Sequence, residues 1–298
     1  RLVGSEMCIR DRGDPILTMA HVDTLGAVVA EIKSNGRLRL SPVGGFNANN
    51  AEAHNCRVYT YDGQIYEGTI QLADASLHVN KEYSTTQRTF QSVEVVLDEP
   101  VTSKDDVKAL GITNGCFVCA DPNLVVTNSG YIKSRFLDDK LSAAILLGYA
   151  KYIRENNITP LRKVYQHMTV FEEVGHGACA SIPEDVTELL SVDMGCVGDG
   201  LECTERQVSI CAKDGHGPYN YQVTTGLVNA AKKDSIDYAV DIYPFYGSDA
   251  DAALSAGKDA RHGLIGAGVY ASHGYERSHK DGVVTVSYTH LRAHETEL

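Results

Sequence analysis

The chain changes texture along its length in how it alternates apolar and polar positions. Residues 15–20, PILTMA, form a short apolar run with turn residues before it and polar residues after it, which predicts a buried strand. Across 36–130, short β-branched and aromatic runs (CRVYTY, QIYEGTI, SVEVVL, CFVCA) are separated by YDG, DEP and NSG turns. Regularly spaced short strands of this kind predict a small β-barrel or sandwich. From 138 onward strand-length runs alternate with helical ones, the order of an α/β fold with an open, mostly parallel sheet and helices on both faces. The clearest helix is 139–156, where Leu141, Ala144, Ile145, Gly148, Tyr149, Tyr152 and Ile153 recur at helical spacing; Asn156, Asn157 and Pro160 end it. VYQHMTVF (164–171), ELLSV (188–192) and GLIGAGVYAS (263–272) read as further buried strands. The simplest organisation is an α/β domain from 13–35 and 131–285, interrupted by a β-barrel at 36–130.

Composition narrows the class. A chain of 298 residues with 43% hydrophobic and 22% charged positions can bury a sizeable core and is not a disordered polymer. Its 27 Lys and Arg face 39 Asp and Glu, a formal net charge of −12, so it lacks the basic footprint of a nucleic-acid or anionic-membrane partner. No apolar run approaches the roughly 18 residues of a membrane span. Eight cysteines without paired spacing predict thiols in a reducing cytoplasm, and the lone Cys116-x-x-Cys119 lacks the second pair of a zinc ribbon. RLVGSEMCIRDR (1–12) and VSYTHLRAHETEL (286–298) resemble translated sequencing-adapter sequence and are expected to be non-native tails, which removes His290 and His294 from consideration.

The chemistry gathers after the strands. His21 and Asp23 follow PILTMA, Glu172 and Glu173 follow VYQHMTVF, Asp193 follows ELLSV, and His273 and Glu276 follow GAGVYAS; the long helix opens on Asp138 and Asp139. In open α/β sheets ligands bind outside the carboxyl ends of the strands. Imidazoles and carboxylates without thiolates suit a borderline or hard divalent ion such as Zn, Co or Mn. His21 and Asp23, at i and i+2 on extended chain, share a face, so Asp23 can accept the imidazole N–H turned away from a metal. Five ligands exceed one tetrahedral ion and suit two ions sharing a bridging carboxylate. Of the pair Glu172 and Glu173, one can turn to a metal and the other to its water.

AHVD, RFLDDK, FEEVG, SVDMG, YGSDAD and ASHGYERSH resemble, in order, the motifs of the tetrahedral dinuclear metalloaminopeptidases, relatives of glutamyl aminopeptidase. The resemblance covers about 13–285 and implies a zinc-peptidase-like fold with an inserted barrel serving dimerisation and access. It implies two divalent ions (Zn or Co, with Mn as a further choice), bound by His21, Asp138 as bridge, Glu173, Asp193 and His273. Glu172 would be the general base, with Asp23 and Asp139 as supports and Asp249 near the substrate. The last ligand departs from the family pattern, in which His is followed by Ser-Pro and then an acid, whereas here His273-Gly274-Tyr275-Glu276 is followed by Ser278-His279, so His279 stands as an alternative to His273. Short peptides with a free N-terminus would be the substrates of a cytoplasmic homo-oligomer, a dimer building a dodecamer. A related two-metal N-acyl amino acid deacylase and a catalytically silent assembly subunit are the competing readings.

Overall fold

The structure, a computed structural model, describes residues 14–295, with side chains described through residue 287. The expected tail at 1–12 lies outside the described residues, as do the side chains of His290 and His294. Two compact units divide the chain: Leu25–Asn123, and the remainder on either side of it.

After the first strand, β1 (Ile16–His21), which belongs to the other unit, Leu25–Asn123 holds β2 (Gly26–Ile32), β3 (Leu38–Val43), the single-turn helix α1 (Ala48–Ala51), β4 (Asn55–Tyr59), β5 (Ile65–Leu72), β6 (Val93–Leu97), α2 (Lys104–Ala109) and β7 (Phe117–Ala120). The strands close into a barrel in the order β2-β3-β6-β5-β4-β7, all neighbours antiparallel. Alternate residues fill its interior: Ala27 and Val29, Leu38 and Leu40, Cys56 and Val58, Ile70 and Leu72, Val93 and Val95, Val118 and Ala120 are all buried. Gly68 is required by a close approach, since a Cβ there would stand 2.6 Å from the carbonyl oxygen of Val96. The unit differs from the expected 36–130 at both edges. The run GAVVAEI pairs with β3 and β7, whereas Val125–Val126, named β8, pairs with Lys133 and Ile132 of the other unit.

That other unit is a mixed sheet with helices on its faces. Its remaining strands are β9 (Tyr131–Ser134), β10 (Val164–Thr169), β11 (Glu188–Val192), β12 (Gly195–Val197), β13 (Val208–Lys213), β14 (Tyr238–Ile242), β15 (Arg261–Tyr270) and β16 (Glu276–His279). The path is β10-β1-β11-β15-β16-β9-β8, with β12 and β13 also on β15 and β14 on β13. β10, β1, β11 and β15 run parallel, so their carboxyl ends share one edge. The helices are α3 (Leu137–Glu155), α4 (Tyr221–Lys233), α5 (Asp249–Ser255) and α6 (Lys280–Glu295). Strand periodicity sorts β1 between two cores: Ile16 and Ala20 join Ile145, Leu146, Leu227 and Val286 on one face. Leu17 and Met19 join Tyr243, Ala250 and Ala253 on the other. None of the described helices is long and apolar enough to cross a membrane.

The face of α3 is rotated from the one its pattern predicts. Ser142, Ala143, Ile145, Leu146, Tyr149 and Ile153 are buried, while Ala144, Gly148 and Tyr152 are exposed. Small residues and tyrosines mark a stripe weakly, and the sheet decides which side is covered. At the amino end of β11, Glu188 is 1% exposed and sits 3.1 Å from Arg162 Nη2 and 3.2 Å from Arg261 Nη2. Glu188→Ala leaves the buried Arg162 without its counter-charge and is expected to cost about 3–5 kcal/mol, read by urea unfolding. A loss below 1 kcal/mol would mean that water already solvates these arginines.

Candidate metal centre

Parallel strands deliver the predicted side chains to one edge. β1 ends on His21, which is buried, and β11 is followed by Asp193, also buried. Gly266 of β15 lies so close to the Asp193 backbone that a Cβ there would stand 1.8 Å from its carbonyl oxygen; only glycine permits that packing. β10 gives way to a single 3-10 turn, Glu172–Val174, flanked by left-handed Phe171 (φ 74°) and Gly175 (φ 81°). The turn breaks the strand's alternation, so both adjacent glutamates face inward. Beyond β15, Ala271 (φ 59°) and His273 (φ 61°) turn the chain back over the edge.

Asp138 stands at the middle of the group. Its Oδ1 is 2.9 Å from His21 Nε2, and its Oδ2 is 3.4 Å from His273 Nε2. One carboxylate therefore spans two imidazoles. Glu173 Oε2 is 3.6 Å from His273 Nε2, and Glu172 Oε2 is 3.7 Å from His21 Nε2. Donor atoms of His21, Asp138 and Glu173 lie within 4.8 Å of one another, as do those of His21, Asp139 and Asp193. Asp138 owes its place to an irregular helix start: Phe136 is left-handed (φ 66°), and Asp138 (ψ 103°) is not helical.

Three further carboxylates hold the backbones of this group. Asp139 Oδ2 accepts from His21 N at 3.2 Å. Asp23 accepts from Glu172 N at 3.3 Å and Glu173 N at 3.2 Å, one oxygen to each. Its carboxylate is 3.5 Å from His21 Nδ1, farther than its own carbonyl oxygen at 3.2 Å, so the carbonyl is the nearer partner of the imidazole. Glu276 is 2% exposed and accepts from His273 N at 3.0 Å and Asp138 N at 3.1 Å. His279 is not part of the group. It is buried on β16, with Nε2 2.8 Å from the Ser129 carbonyl oxygen and Nδ1 accepting from Asp281 N. Asp249 is buried and accepts from Thr169 Oγ1 at 2.5 Å, and it lines the same cavity.

The cavity, about 620 Å³, is lined by Asp138, Glu172, Glu173, Asp193 and His273 together with Met194, Phe245 and Tyr246, and, among the described residues, by no Lys or Arg. Burial and repulsion by Asp193 push the Glu172 carboxyl up to about 10. Burial and repulsion by Asp138 push Glu173 up to about 8 and Asp193 up to about 7. Burial works against charge on Asp138, yet hydrogen bonds from His21 and His273 hold it below the usual carboxylate range. Burial likewise opposes charge on His21, but Asp138, Asp23, Asp193 and Asp139 raise it well above the ordinary histidine value. So many buried acids facing two imidazoles call for added positive charge. Among the described residues none hydrogen-bonds Glu173 Oε1, a buried oxygen whose lone pairs can meet a cation. Nitrogen and oxygen donors without thiolate fit borderline or hard divalent ions.

The profile of the M42 glutamyl aminopeptidase family matches residues 6–287. The chain belongs to that family. An M42 chain is a metal-dependent aminopeptidase, a hydrolase of peptide bonds. Among similar proteins is the "Putative aminopeptidase YhfE" of Bacillus subtilis (strain 168), 46% identical over 274 residues, which span 92% of this chain and 79% of that one. Among solved structures, the aminopeptidase APDkam598 from the archaeon Desulfurococcus kamchatkensis superposes with a TM-score of 0.83 at 22% identity, covering 95% of this chain and 80% of that one. The TET1 peptidase of Pyrococcus horikoshii, described as assembling into a tetrahedron or a large octahedral shell, gives 0.83 at 22% identity over 97% of this chain and 86% of its own. Likeness at that identity establishes the fold: the sheet with its inserted barrel is the M42 architecture. What the pattern of this M42 sequence did not reveal is the part played by Glu276 and Gly266. The first had a local signal, an acid three residues beyond a histidine across a turn; the second had none.

Proposed function

We propose that this chain removes N-terminal residues from short peptides with a pair of divalent ions, Zn or Co, with Mn as a further choice, bound by His21, Asp138, Glu173, Asp193 and His273. The observation that carries the reading is Asp138, whose two oxygens face His21 and His273 separately, as a bridge between two cations requires. When bound, the ions would polarise the scissile carbonyl and acidify water at the site. Glu172 is the base: it takes the proton of the attacking water and passes it to the departing amine. Asp23 fixes that base by gripping the backbone N–H groups of Glu172 and Glu173. Asp139 fixes His21 in the same way. The lining acids that take no part in ligation or proton transfer, Asp249 among them, attract a protonated α-amine, which only a chain end supplies.

The test compares a free peptide with its N-acetylated form. Cleavage of the free peptide and at least about a hundredfold slower cleavage of the blocked one is expected, the size of losing a charged contact in a water-poor site. Cleavage of the blocked substrate alone would instead identify an N-acyl amino acid deacylase. We further place the protein in the cytoplasm, in keeping with the thiols of Cys56, Cys116, Cys196, Cys203 and Cys211, which form no disulfide among the described residues. It acts there as a homo-oligomer, a dimer building a dodecamer. An exposed apolar row on the barrel supports self-association: Ile65, Tyr59 and Phe117 are neighbours across β5, β4 and β7. Light scattering on the eluted protein reads its mass, and a monomer at micromolar concentration would remove that element.

A further inference from the structure

The acid three residues beyond His273 reaches two places at once. Glu276 opens β16, where it pairs with Ser134 of β9, and its side chain is buried under the turn that carries His273. Oε1 accepts from the backbone N–H of His273 at 3.0 Å; Oε2 accepts from the backbone N–H of Asp138, a residue 138 positions away, at 3.1 Å. Both recipients are in conformations that the chain does not hold unaided. His273 is a non-glycine residue at φ 61°, and Asp138 sits at a helix start whose N-cap, Phe136, makes no side-chain hydrogen bond. The Asp138 N–H would otherwise be a buried donor in need of an acceptor, and that of the half-buried His273 would lose the bond that holds its turn.

We infer that Glu276 is a positioning residue of the metal centre, a single carboxylate that fixes the distance between the loop bearing His273 and the helix start bearing Asp138. The inference rests on the reading of those two residues as ligands. Neither oxygen is offered to a substrate, because both point at backbone. Arg135 is buried as well, and its guanidinium feels the charge of Glu276. With the clamp intact, the Asp138 oxygen facing His273 stays where a shared cation needs it. With it broken, the His273 turn relaxes and the site opens on that side, whereas His21, held by Asp139, keeps its position.

Glu276→Gln is the discriminating variant. It keeps the shape and one acceptor oxygen, but it must turn an amide NH2 toward one of the two N–H donors. Metal affinity is measured by competition with a chromophoric chelator, using Zn and Co, and the Co(II) absorption spectrum is recorded. Loss of a group that orients ligands is expected to weaken affinity about 10–100-fold. The loss falls on one of the two equivalents, and kcat falls while KM for the peptide is unchanged. If Glu276 serves only to hold the fold together, the thermal midpoint falls while affinity in the folded protein stays within twofold, which overturns the inference. Glu276→Ala, losing both bonds, extends the series if it folds, and Glu276→Gln decides if it does not. Wild-type protein that binds no metal overturns the ligand assignment itself, an outcome separate from a variant that binds as tightly as wild type.

Discussion

Glu172→Ala is expected to retain its metal and lose at least two orders of magnitude in turnover, the contribution typical of a positioned general base. Three features set this expectation. Its Oε2 is 3.7 Å from His21 Nε2, so Glu172 stands at the site. Its neighbour Glu173, not Glu172, reaches His273. Its backbone is held by Asp23, which fixes the direction of the side chain. A base must be ionised at working pH, yet burial and repulsion from Asp193 by themselves push this carboxyl up to about 10. Cations held by the surrounding acids offset that repulsion and bring the group back toward the range in which it can accept a proton at neutrality. KM for the peptide is expected to change by no more than a few-fold, because Glu172 acts on water and not on the α-amine. Metal content by elemental analysis must accompany the rates. A variant that loses metal would mark Glu172 as a ligand, and one that keeps both metal and rate would remove it from the mechanism.

The strand ends were legible because a parallel sheet collects whatever follows its strands. PILTMA, VYQHMTVF and ELLSV are strand-length runs rich in apolar residues, and His21, Glu172, Glu173 and Asp193 come directly after them. The pairing of His21 with Asp138 is also deducible in kind, since acids at a helix start face the same edge. The buried side of α3 was not legible, because its stripe contains Ala144, Gly148 and Tyr152, residues that tolerate either environment. Nor was the edge of the barrel: GAVVAEI alternates too weakly to stand apart from the strand before it, and only its pairing with β3 and β7 reveals its unit. Asp23 shows a subtler limit. Spacing puts its carboxylate on the His21 face, yet its strongest contacts are to backbone N–H groups about 150 positions away. Contacts to backbone carry no residue identity on the receiving side, so no pattern of side chains announces them. Glu276 and Asp138 are joined by the same kind of contact.

Stripping the ions with a chelator is expected to abolish activity, lower the thermal midpoint, and lower it further as pH rises. The first part is mass action: an ion held at a thousand times its Kd stabilises the folded state by about 4 kcal/mol, on the order of 10 °C for a domain of this size. The pH dependence follows from the acids left behind. Burial and Asp138 raise Glu173 to about 8 and Asp193 to about 7, above their values in an unfolded chain. A carboxyl raised by folding favours the folded state while protonated, and that advantage is lost as pH climbs through the folded value. His273, raised to about 9 chiefly by its hydrogen bond to Asp138, acts with the same sign: its contribution is full below about 6.5 and gone above about 9. Asp138 and Asp23 are lowered instead, so their stabilisation is lost only in acid. Metal ligation needs these groups deprotonated, so the stabilisation from the ions grows over the same interval. The difference in midpoint between loaded and stripped protein should therefore widen from pH 5.5 to 8.5, as measured by scanning calorimetry. A difference that stays constant or narrows would mean that the acids are paired with one another by protons in both forms, and that no cation is needed to hold them together.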